Sequence, residues 1–188
     1  RKEPRHIVFE KSSFVGKTVL ITGATGHLGS EVCRAFAKLG ADLILIDLNP
    51  DSLQELSAEL SEGFGVDVSV YACNFSDPVD RNKVIHDVSV DFEVVDALIN
   101  NAAFVGTSDL SGWSVPFEEQ LSSVWAQVFE VNLTSIFEFA QGLSGNLRKS
   151  GSGAIVNIAS IHAHLGPDWD LYELSLIHIS EPTRQAEI

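Results

Sequence analysis

The sequence predicts an α/β fold in which a parallel sheet carries helices on both faces, and two observations support this prediction. Short apolar runs alternate with stretches of helical periodicity along the chain, which is the order of elements in α/β proteins. Most of these runs are apolar throughout, as is typical of parallel strands that are buried on both faces. We therefore expect one doubly wound domain over residues 14–173, preceded by a polar, extended arm at residues 1–13.

Strands and helices are expected in alternation. The expected strands cover residues 19–21, 41–47, 66–73, 94–99 and 154–159. The expected helices cover residues 28–39, 51–62, 77–90 and 118–147. Apolar residues at helical spacing predict the helices, the alternation of Val66, Val68 and Val70 predicts the third strand, and Gly151 ends the last helix. A polar loop at residues 106–116 precedes that helix, which we expect to be continuous.

A turn with three glycines joins the first strand to the first helix. Gly23 permits a tight turn, Gly26 lets backbone N–H groups approach phosphates, and Gly29 allows the helix to pack closely on the strand. The helix N-terminus then faces the negative charge of a pyrophosphate. The expected contacts to a dinucleotide come from Gly23, Thr25, Gly26, His27, Leu28 and Gly29. The alternative is an ordinary strand-to-helix turn without a ligand.

An acidic residue ends the second strand. Asp47 lies eighteen residues beyond Gly29, close to where an acid meets the adenosine ribose in dinucleotide-binding folds. Its carboxylate is expected to accept hydrogen bonds from both ribose hydroxyls and to repel a 2′-phosphate, which favours NAD over NADP. The alternative is a solvated residue at a strand end.

Composition excludes several partners. The 188 residues carry a net charge of −14, which argues against nucleic acid and against an anionic membrane surface, because both require clustered Lys and Arg. No apolar run is long enough to span a membrane and no signal peptide precedes the fold. Cys33 and Cys73 lack metal-ligand spacing, so we expect reduced thiols and a cytoplasmic location. The absence of methionine predicts that the chain begins inside a longer one.

The last fifteen residues have an unusual origin. From Leu174 the sequence LSLIHISEPTR resembles, codon by codon, the translation of the end sequence that transposase-based DNA library kits add. We therefore expect residues 174–188 to be a non-native tail that takes no part in the fold.

Five features together resemble the short-chain dehydrogenase/reductase family. They are TGATGHLG, Asp47, the NNAA sequence at Asn100–Ala103, Asn132 in the long helix, and the apolar strand that leads to Ser160. The resemblance spans residues 14–173 and implies a Rossmann-like sheet of order 3-2-1-4-5, truncated before its last strands. Two features depart from the family pattern. The TGxxGxxG spacing resembles the branch that modifies sugar nucleotides, and NNAA replaces the usual NNAG.

The resemblance also implies roles for individual residues. Ser160 would hold the substrate oxygen, and Asn132 would anchor a proton-relay water. The alternatives are a strand-end hydroxyl that caps the next turn for Ser160, and a buried amide bonded to backbone for Asn132. The cofactor would further contact Asn74, Phe75, Asn101, Ala102 and Ala103. A Tyr transfers the proton in this family, and a Lys four residues beyond lowers the pKa of that Tyr. Tyr172 is either that residue or part of an inserted loop, and no Lys follows it; the chain is therefore expected to be inactive.

The implied function is an NAD-dependent oxidoreductase that acts on a small secondary alcohol or ketone, such as a sugar derivative, as a homo-oligomer. The alternatives are a nucleotide-sugar epimerase or dehydratase and a non-catalytic NAD-binding protein. No metal site is predicted, since His162, His164 and Asp168 are more simply solvated or substrate-facing. Aromatic residues in loops above the sheet are candidates for the substrate wall, namely Phe104, Trp113 and Trp169.

Overall fold

Five parallel strands form one sheet in the order β3-β2-β1-β4-β5. The computed structural model describes residues 13–104, 111–113 and 115–160. The strands are β1 (Thr18–Thr22), β2 (Asp42–Asp47), β3 (Val68–Ala72), β4 (Ala97–Asn100) and β5 (Ala154–Asn157). The predicted arrangement 3-2-1-4-5 is therefore confirmed, although the third, fourth and fifth strands are shorter than expected.

Six α-helices lie within the described residues. They are α1 (His27–Lys38), α2 (Pro50–Phe64), α3 (Pro78–Asp91), α4 (Ser122–Phe129), α5 (Ser135–Gly142) and α6 (Ser144–Lys149). Side-chain caps start two of them: Asn49 accepts from two backbone amides at the start of α2, and Asp77 accepts from Val79 N at the start of α3. Gly65 ends α2 in the left-handed conformation, with φ of 70°.

Helices cover both faces of the sheet. Successive residues of a strand point to opposite faces, so neighbouring residues of β1 pack against different helices. Val19 and Ile21 of β1 lie in an apolar cluster with Cys33 of α1 and residues of α2. Leu20 between them lies in a second cluster, with residues of α3 and α5 such as Phe139. The prediction of a sheet buried on both faces is confirmed for the three central strands.

The expectation of one continuous helix at residues 118–147 is wrong. A 3-10 turn (Phe117–Glu119), α4, a π-turn (Glu130–Thr134), α5 and α6 occupy that stretch. The π-turn surrounds Asn132, whose side chain bonds to backbone outside the helix. Helix α5 ends at Gly142, and Leu143 separates it from α6. A Cβ on Gly142 would lie only 2.2 Å from Cγ2 of Ile85, so a glycine allows α5 to approach α3 this closely.

Strand β5 forms one edge of the sheet. Its residues Ile155 and Val156 are 47% and 45% exposed, whereas the residues paired with them on β4 are buried. Within the described residues no helix combines the length and apolarity needed to cross a bilayer.

Candidate functional site

The predicted site residues follow the carboxyl ends of all five strands. Gly23 follows β1, Asp47 ends β2, Asn74 follows β3, Asn101 follows β4 and Ser160 lies beyond β5. Because the strands are parallel, these residues lie along one edge of the sheet. Strand β1 lies between β2 and β4, so the chain winds in opposite directions on its two sides. Open α/β sheets bind ligands at such a point.

The three glycines of the turn differ in what limits them. Gly23 has φ of +64°, and a Cβ there would lie 2.8 Å from Cα of Ala102. A Cβ on Gly29 would lie 2.0 Å from the carbonyl oxygen of Gly23, whereas at Gly26 the nearest atom would be 3.3 Å away. Gly23 and Gly29 are therefore required by packing. Gly26 is exposed and is the residue that keeps side-chain atoms away from the space above the turn.

The start of α1 is suited to an anion. Its N-cap residue is Gly26, and no side chain caps the helix. Backbone N–H groups of a first turn without a side-chain cap are donors for phosphate oxygens. His27 and Leu28 follow on the exposed surface. The turn therefore fits a dinucleotide phosphate group by conformation and by the donors that it offers.

The segment after β4 is bonded to the glycine turn. Thr22 Oγ1 accepts hydrogen bonds from Asn101 N and Ala102 N, each at 3.0 Å. The Asn101 side chain donates to Thr22 O at 3.1 Å and to Gly23 O at 3.0 Å. Asn101 thus holds the turn in shape. Ala102 packs against the core and Ala103 is exposed beside it.

Asp47 is held against the same turn. Its Oδ2 accepts from Thr25 N at 2.8 Å and from Thr25 Oγ1 at 2.7 Å. Its Oδ1 accepts from Leu48 N at 2.6 Å. Oδ2 already accepts two hydrogen bonds, whereas Oδ1 accepts one and can accept another, so the orientation is fixed while capacity for one ribose hydroxyl remains.

The turn after β3 contains two side-chain hydrogen bonds, and its two predicted contact residues differ in exposure. Asn74 is exposed, and its Oδ1 accepts from Ser76 N at 3.0 Å. Its backbone N donates to Asp80 at 2.6 Å. Phe75 is buried and packs against Phe139, with ring centroids 5.6 Å apart. The Asn74 side chain therefore lies on the surface of this turn, and the Phe75 ring belongs to the core.

Asn132 lies in the π-turn and faces backbone. Its Oδ1 accepts from Phe104 N at 2.6 Å, and its Nδ2 donates to Phe104 O at 3.0 Å. Ser135 supports the turn by donating to Val131 O at 2.6 Å. The amide thereby fixes the chain just beyond Ala103. The Oδ1 and Nδ2 atoms of Asn132 each have one hydrogen-bonding position left for a water.

A profile of the family described as short chain dehydrogenase matches residues 17–172, which is most of the chain. The chain belongs to the short-chain dehydrogenase family. The match begins just before β1 and ends at Tyr172.

Curated relatives within this family include fungal dehydrogenases. The short chain dehydrogenase/reductase dpmpG of Macrophomina phaseolina is 36% identical over 155 residues, covering 80% of this chain and 84% of the relative. The NADP-dependent mannitol dehydrogenase of Hypocrea jecorina is 33% identical over 156 residues, covering 81% of this chain and 56% of the relative. The chain therefore spans little more than half the length of the mannitol dehydrogenase.

Solved structures of family members show the same fold. L-sorbose reductase from Gluconobacter frateurii, complexed with NADPH and L-sorbose, has a TM-score of 0.75 at 31% identity, covering 85% of this chain and 58% of that one. An NAD+-bound xylitol dehydrogenase has a TM-score of 0.70 at 30% identity, covering 82% and 56%. Relatives of this short-chain dehydrogenase thus use either form of nicotinamide cofactor.

Two of the predicted substrate-wall residues of this family member are in contact. The rings of Phe104 and Trp113 lie 6.2 Å apart in an edge-to-face arrangement. Asn132 holds the backbone of Phe104, so the aromatic pair is tied to the π-turn. Ser160 is half-buried and ends the described residues. Tyr172 and Trp169 lie outside them, as do the residues weighed for a metal, His162, His164 and Asp168.

Two residues that shape this site, Thr22 and Arg81, had no predicted role, and Thr25 was predicted as a cofactor contact without its hydrogen bonds to Asp47. Thr22 holds the segment after β4, and Thr25 holds the Asp47 carboxylate. Their hydroxyls at the end of a strand and within the turn were a usable signal, since such groups bond to nearby backbone. Arg81 is buried on α3, and its two carboxylate partners lie 49 and 57 residues away along the chain, so no local pattern indicated it.

Proposed function

We propose that this short-chain dehydrogenase is part of an NAD-dependent oxidoreductase that transfers a hydride between nicotinamide and a secondary alcohol or ketone. The observation that supports this most is the glycine turn, which Asn101 and Thr22 hold open above the sheet. Relatives named for mannitol, threitol and sorbose favour sugar alcohols and ketoses as the substrate class.

The choice of NAD rests on Asp47. Its carboxylate is fixed by three hydrogen bonds at the point where the adenosine ribose would lie. A negative charge held in that position would repel a 2′-phosphate. We therefore propose NAD as the cofactor, even though the similar mannitol dehydrogenase is named as NADP-dependent.

Each site residue has a proposed task. The bound nicotinamide ring would supply or accept the hydride. Asn74, Asn101 and the turn residues would fix the adenosine and pyrophosphate groups, and Ser160 would hold the substrate oxygen. Asn132 would order the segment at Phe104 and anchor a water of the proton relay. Tyr172 would exchange the proton if it is the family's tyrosine, and its lysine would then belong at position 176, where the expected non-native tail has Leu176.

Binding and activity test this proposal separately. Titration calorimetry of the 188-residue chain with NAD+ and NADP+ is expected to show binding, with NAD+ tighter. No reduction of NAD+ with mannitol, xylitol or threitol is expected, because no Lys follows Tyr172 and proton transfer contributes about 10²- to 10⁴-fold in rate. Absence of dinucleotide binding would contradict the proposal, and turnover would contradict the account of the missing lysine.

The spacing of Gly23, Gly26 and Gly29 favours a second candidate, an epimerase or dehydratase of nucleotide sugars. Such an enzyme oxidises its substrate transiently and regains its cofactor, so it would release no NADH. Incubation of the natural full-length protein with a polyol and NAD+ distinguishes the two. Accumulating NADH supports the dehydrogenase, and product from a nucleotide sugar without net NADH supports the epimerase or dehydratase.

We propose that the protein self-associates in the cytoplasm. Trp125, Phe129, Leu133 and Phe137 form an exposed apolar stripe on α4, the π-turn and α5. Residues four apart drift by about 40° per step around an α-helix, and the wider π-turn compensates for this drift. Patches of this kind mark interaction surfaces, and a second copy of the same stripe would cover it.

Cys33 and Cys73 are both unpaired, which fits the reducing compartment proposed here.

Sedimentation velocity tests self-association. Phe137→Glu is expected to shift the protein toward monomer, because a charge would lie in the covered stripe. Phe64→Glu is the matched control, since Phe64 is an exposed aromatic residue at the end of α2. A monomer at all concentrations before substitution would contradict the proposal.

A further inference from the structure

Arg81 of α3 is a buried cation with three acceptors. Its side chain is 1% exposed. Nε donates to Glu138 Oε2 at 2.5 Å, Nη2 donates to Glu130 Oε2 at 2.7 Å, and Nη1 donates to Phe75 O at 2.5 Å. All three nitrogens of the guanidinium are therefore engaged.

The three acceptors belong to three separate segments. Phe75 lies in the turn after β3, Glu130 is the first residue of the π-turn, and Glu138 lies on α5. The guanidinium thus joins the turn that carries Asn74 to the helical stretch on both sides of Asn132. A planar fork with fixed donor directions suits this task, whereas a lysine carries its three donors on one nitrogen and cannot be close to acceptors that are spaced around three separate nitrogens.

Neighbouring contacts extend the connection toward the site at both ends. At one end Asp80, next to Arg81 on α3, accepts from the backbone N of Asn74 at 2.6 Å. At the other end Asn132 holds both backbone groups of Phe104. Between the ends, Gln127 Nε2 lies 3.5 Å from Ser76 Oγ. A continuous set of contacts therefore runs from the Asn74 turn to Phe104.

We propose that Arg81 is a positioning residue that fixes the adenosine side of the site and the Asn132 π-turn relative to one another. This inference rests on the proposed dinucleotide binding. Arg81 is buried, so it acts through the backbone of Phe75 and through Glu130 rather than through contact with a ligand. Its loss would release the Asn74 turn and the π-turn together.

Because Arg81 is buried, its substitution affects the stability of the fold as well as any positioning of the site. Removing one partner of a buried ion pair leaves an uncompensated charge and destabilises a protein strongly. A purely structural role would lower thermal stability and leave the ligand affinity of the folded protein unchanged. A positioning role would change that affinity, and it would change hydrogen exchange at Phe104, which is not among the hydrogen-bond partners of Arg81.

The test uses the 188-residue chain and ADP-ribose, which carries the adenosine and pyrophosphate groups without nicotinamide. Arg81→Lys keeps the charge but not the fork, and Glu138→Gln keeps an acceptor but not its charge. Glu59→Gln is the matched control, because Glu59 accepts two hydrogen bonds from Arg34 on the exposed surface between α1 and α2. Calorimetry gives the dissociation constant, and residue-resolved hydrogen exchange gives the protection of individual amides.

The Kd for ADP-ribose is expected to rise about tenfold in Arg81→Lys, and less in Glu138→Gln, as for residues that couple two parts of a site. Phe104 N–H is expected to lose protection while the amides of Leu20 and Ile44 in the central strands keep theirs. Glu59→Gln is expected to change neither measurement.

Unchanged ADP-ribose affinity in a folded Arg81→Lys, or unchanged protection at Phe104, would overturn the inference. If Arg81→Lys does not fold, Glu138→Gln decides in the same way. Failure of the unsubstituted chain to bind ADP-ribose would instead overturn the proposed function, and this inference with it. The two failures are therefore distinguishable.

Discussion

Asn101 donates a side-chain hydrogen bond to the carbonyl oxygen of Gly23 at 3.0 Å. This bond joins the segments after β4 and β1, which are far apart in sequence and adjacent in the sheet. The same Gly23 oxygen would lie 2.0 Å from a Cβ on Gly29. The glycine turn therefore keeps its shape through a contact with the second motif of the family, and the two motifs depend on each other.

Substitutions in this turn are expected to separate folding from binding. Gly26→Val should weaken dinucleotide binding and retain the fold, because Gly26 is exposed and a Cβ there is only slightly crowded. Gly23→Val should destabilise the fold itself, because φ is +64° and Ala102 leaves no room. The structure therefore favours loss of binding with a retained fold only for Gly26→Val.

Circular dichroism melting and NAD+ titration measure the two effects. Gly63→Val serves as the control, since nothing lies within 4 Å of a Cβ at that helical position. A Gly23→Val protein with the original melting temperature, or a Gly26→Val protein with the original NAD+ affinity, would disagree with this assignment.

Cofactor preference is expected to depend on Asp47 and on the residue that orients it. Asp47→Ala should lower the preference for NAD+ over NADP+ by about tenfold or more, because juxtaposed like charges cost several kcal/mol. Thr25→Val should lower it less, since the bond from Thr25 N remains after the hydroxyl bond is lost. Parallel titrations with both cofactors measure the ratio.

Asp67→Asn provides the control, because it changes the net charge equally at the opposite edge of the sheet. Tighter binding of NADP+ than of NAD+ by the unsubstituted chain would disprove the role of Asp47.

The fold was largely predictable from the sequence, and the π-turn was not. Apolar runs and helical periodicity locate the strands and the buried faces of the helices. Both patterns involve residues that are close together in the sequence. The π-turn depends on the bonds between Asn132 and Phe104, which are 28 residues apart. A local pattern cannot show that one helical turn is wider than the next when its reason is a contact with another segment.

The candidate site divides in the same way. Gly23, Gly26 and Asp47 are recognisable because the spacing of a local motif identifies them. The role of Arg81 depends on Glu130 and Glu138, which are 49 and 57 residues away. An arginine on a weakly amphipathic helix suggests a solvated surface residue, and only the packing of α3 against α5 shows that it is buried.

Both cysteines are expected to resist alkylation in the folded protein. Cys33 and Cys73 are fully or almost fully buried, and burial raises the pKa of each thiol to about 12. Since the thiolate is the reactive form, iodoacetamide at pH 8 should modify neither residue. Intact-mass measurement should show no adduct natively and two in guanidinium chloride. Rapid modification of the folded chain would contradict the packing beneath the turns at Ala24 and Asn74.

Asp96 is expected to make stability depend on acid pH. It lies at the amino edge of the sheet and accepts from Ser150 Oγ at 2.6 Å, Thr18 N at 2.9 Å and Lys17 Nζ at 2.9 Å. Burial acts to raise the pKa of this carboxyl, but the hydrogen bonds from Ser150 and Thr18 and the ion pair with Lys17 outweigh it. The pKa of Asp96 is therefore held below its ordinary value of 3.8.

Because the pKa is lower in the folded state, the ionised carboxylate stabilises the fold above the unfolded pKa, and this contribution is lost as the pH falls through the folded value. Asp96→Asn should therefore lower the free energy of unfolding at pH 7 by about 2 kcal/mol, as for hydrogen bonds to a charged group. The difference between the two proteins should shrink as the pH falls below about 4. Urea unfolding at several pH values measures this difference.

Asp42→Asn is the control at the same edge, because Asp42 is only partly buried and accepts one hydrogen bond, from Asp67 N. A difference between Asp96→Asn and the unsubstituted chain that stays constant down to pH 2 would show that the carboxylate charge is not what stabilises this edge.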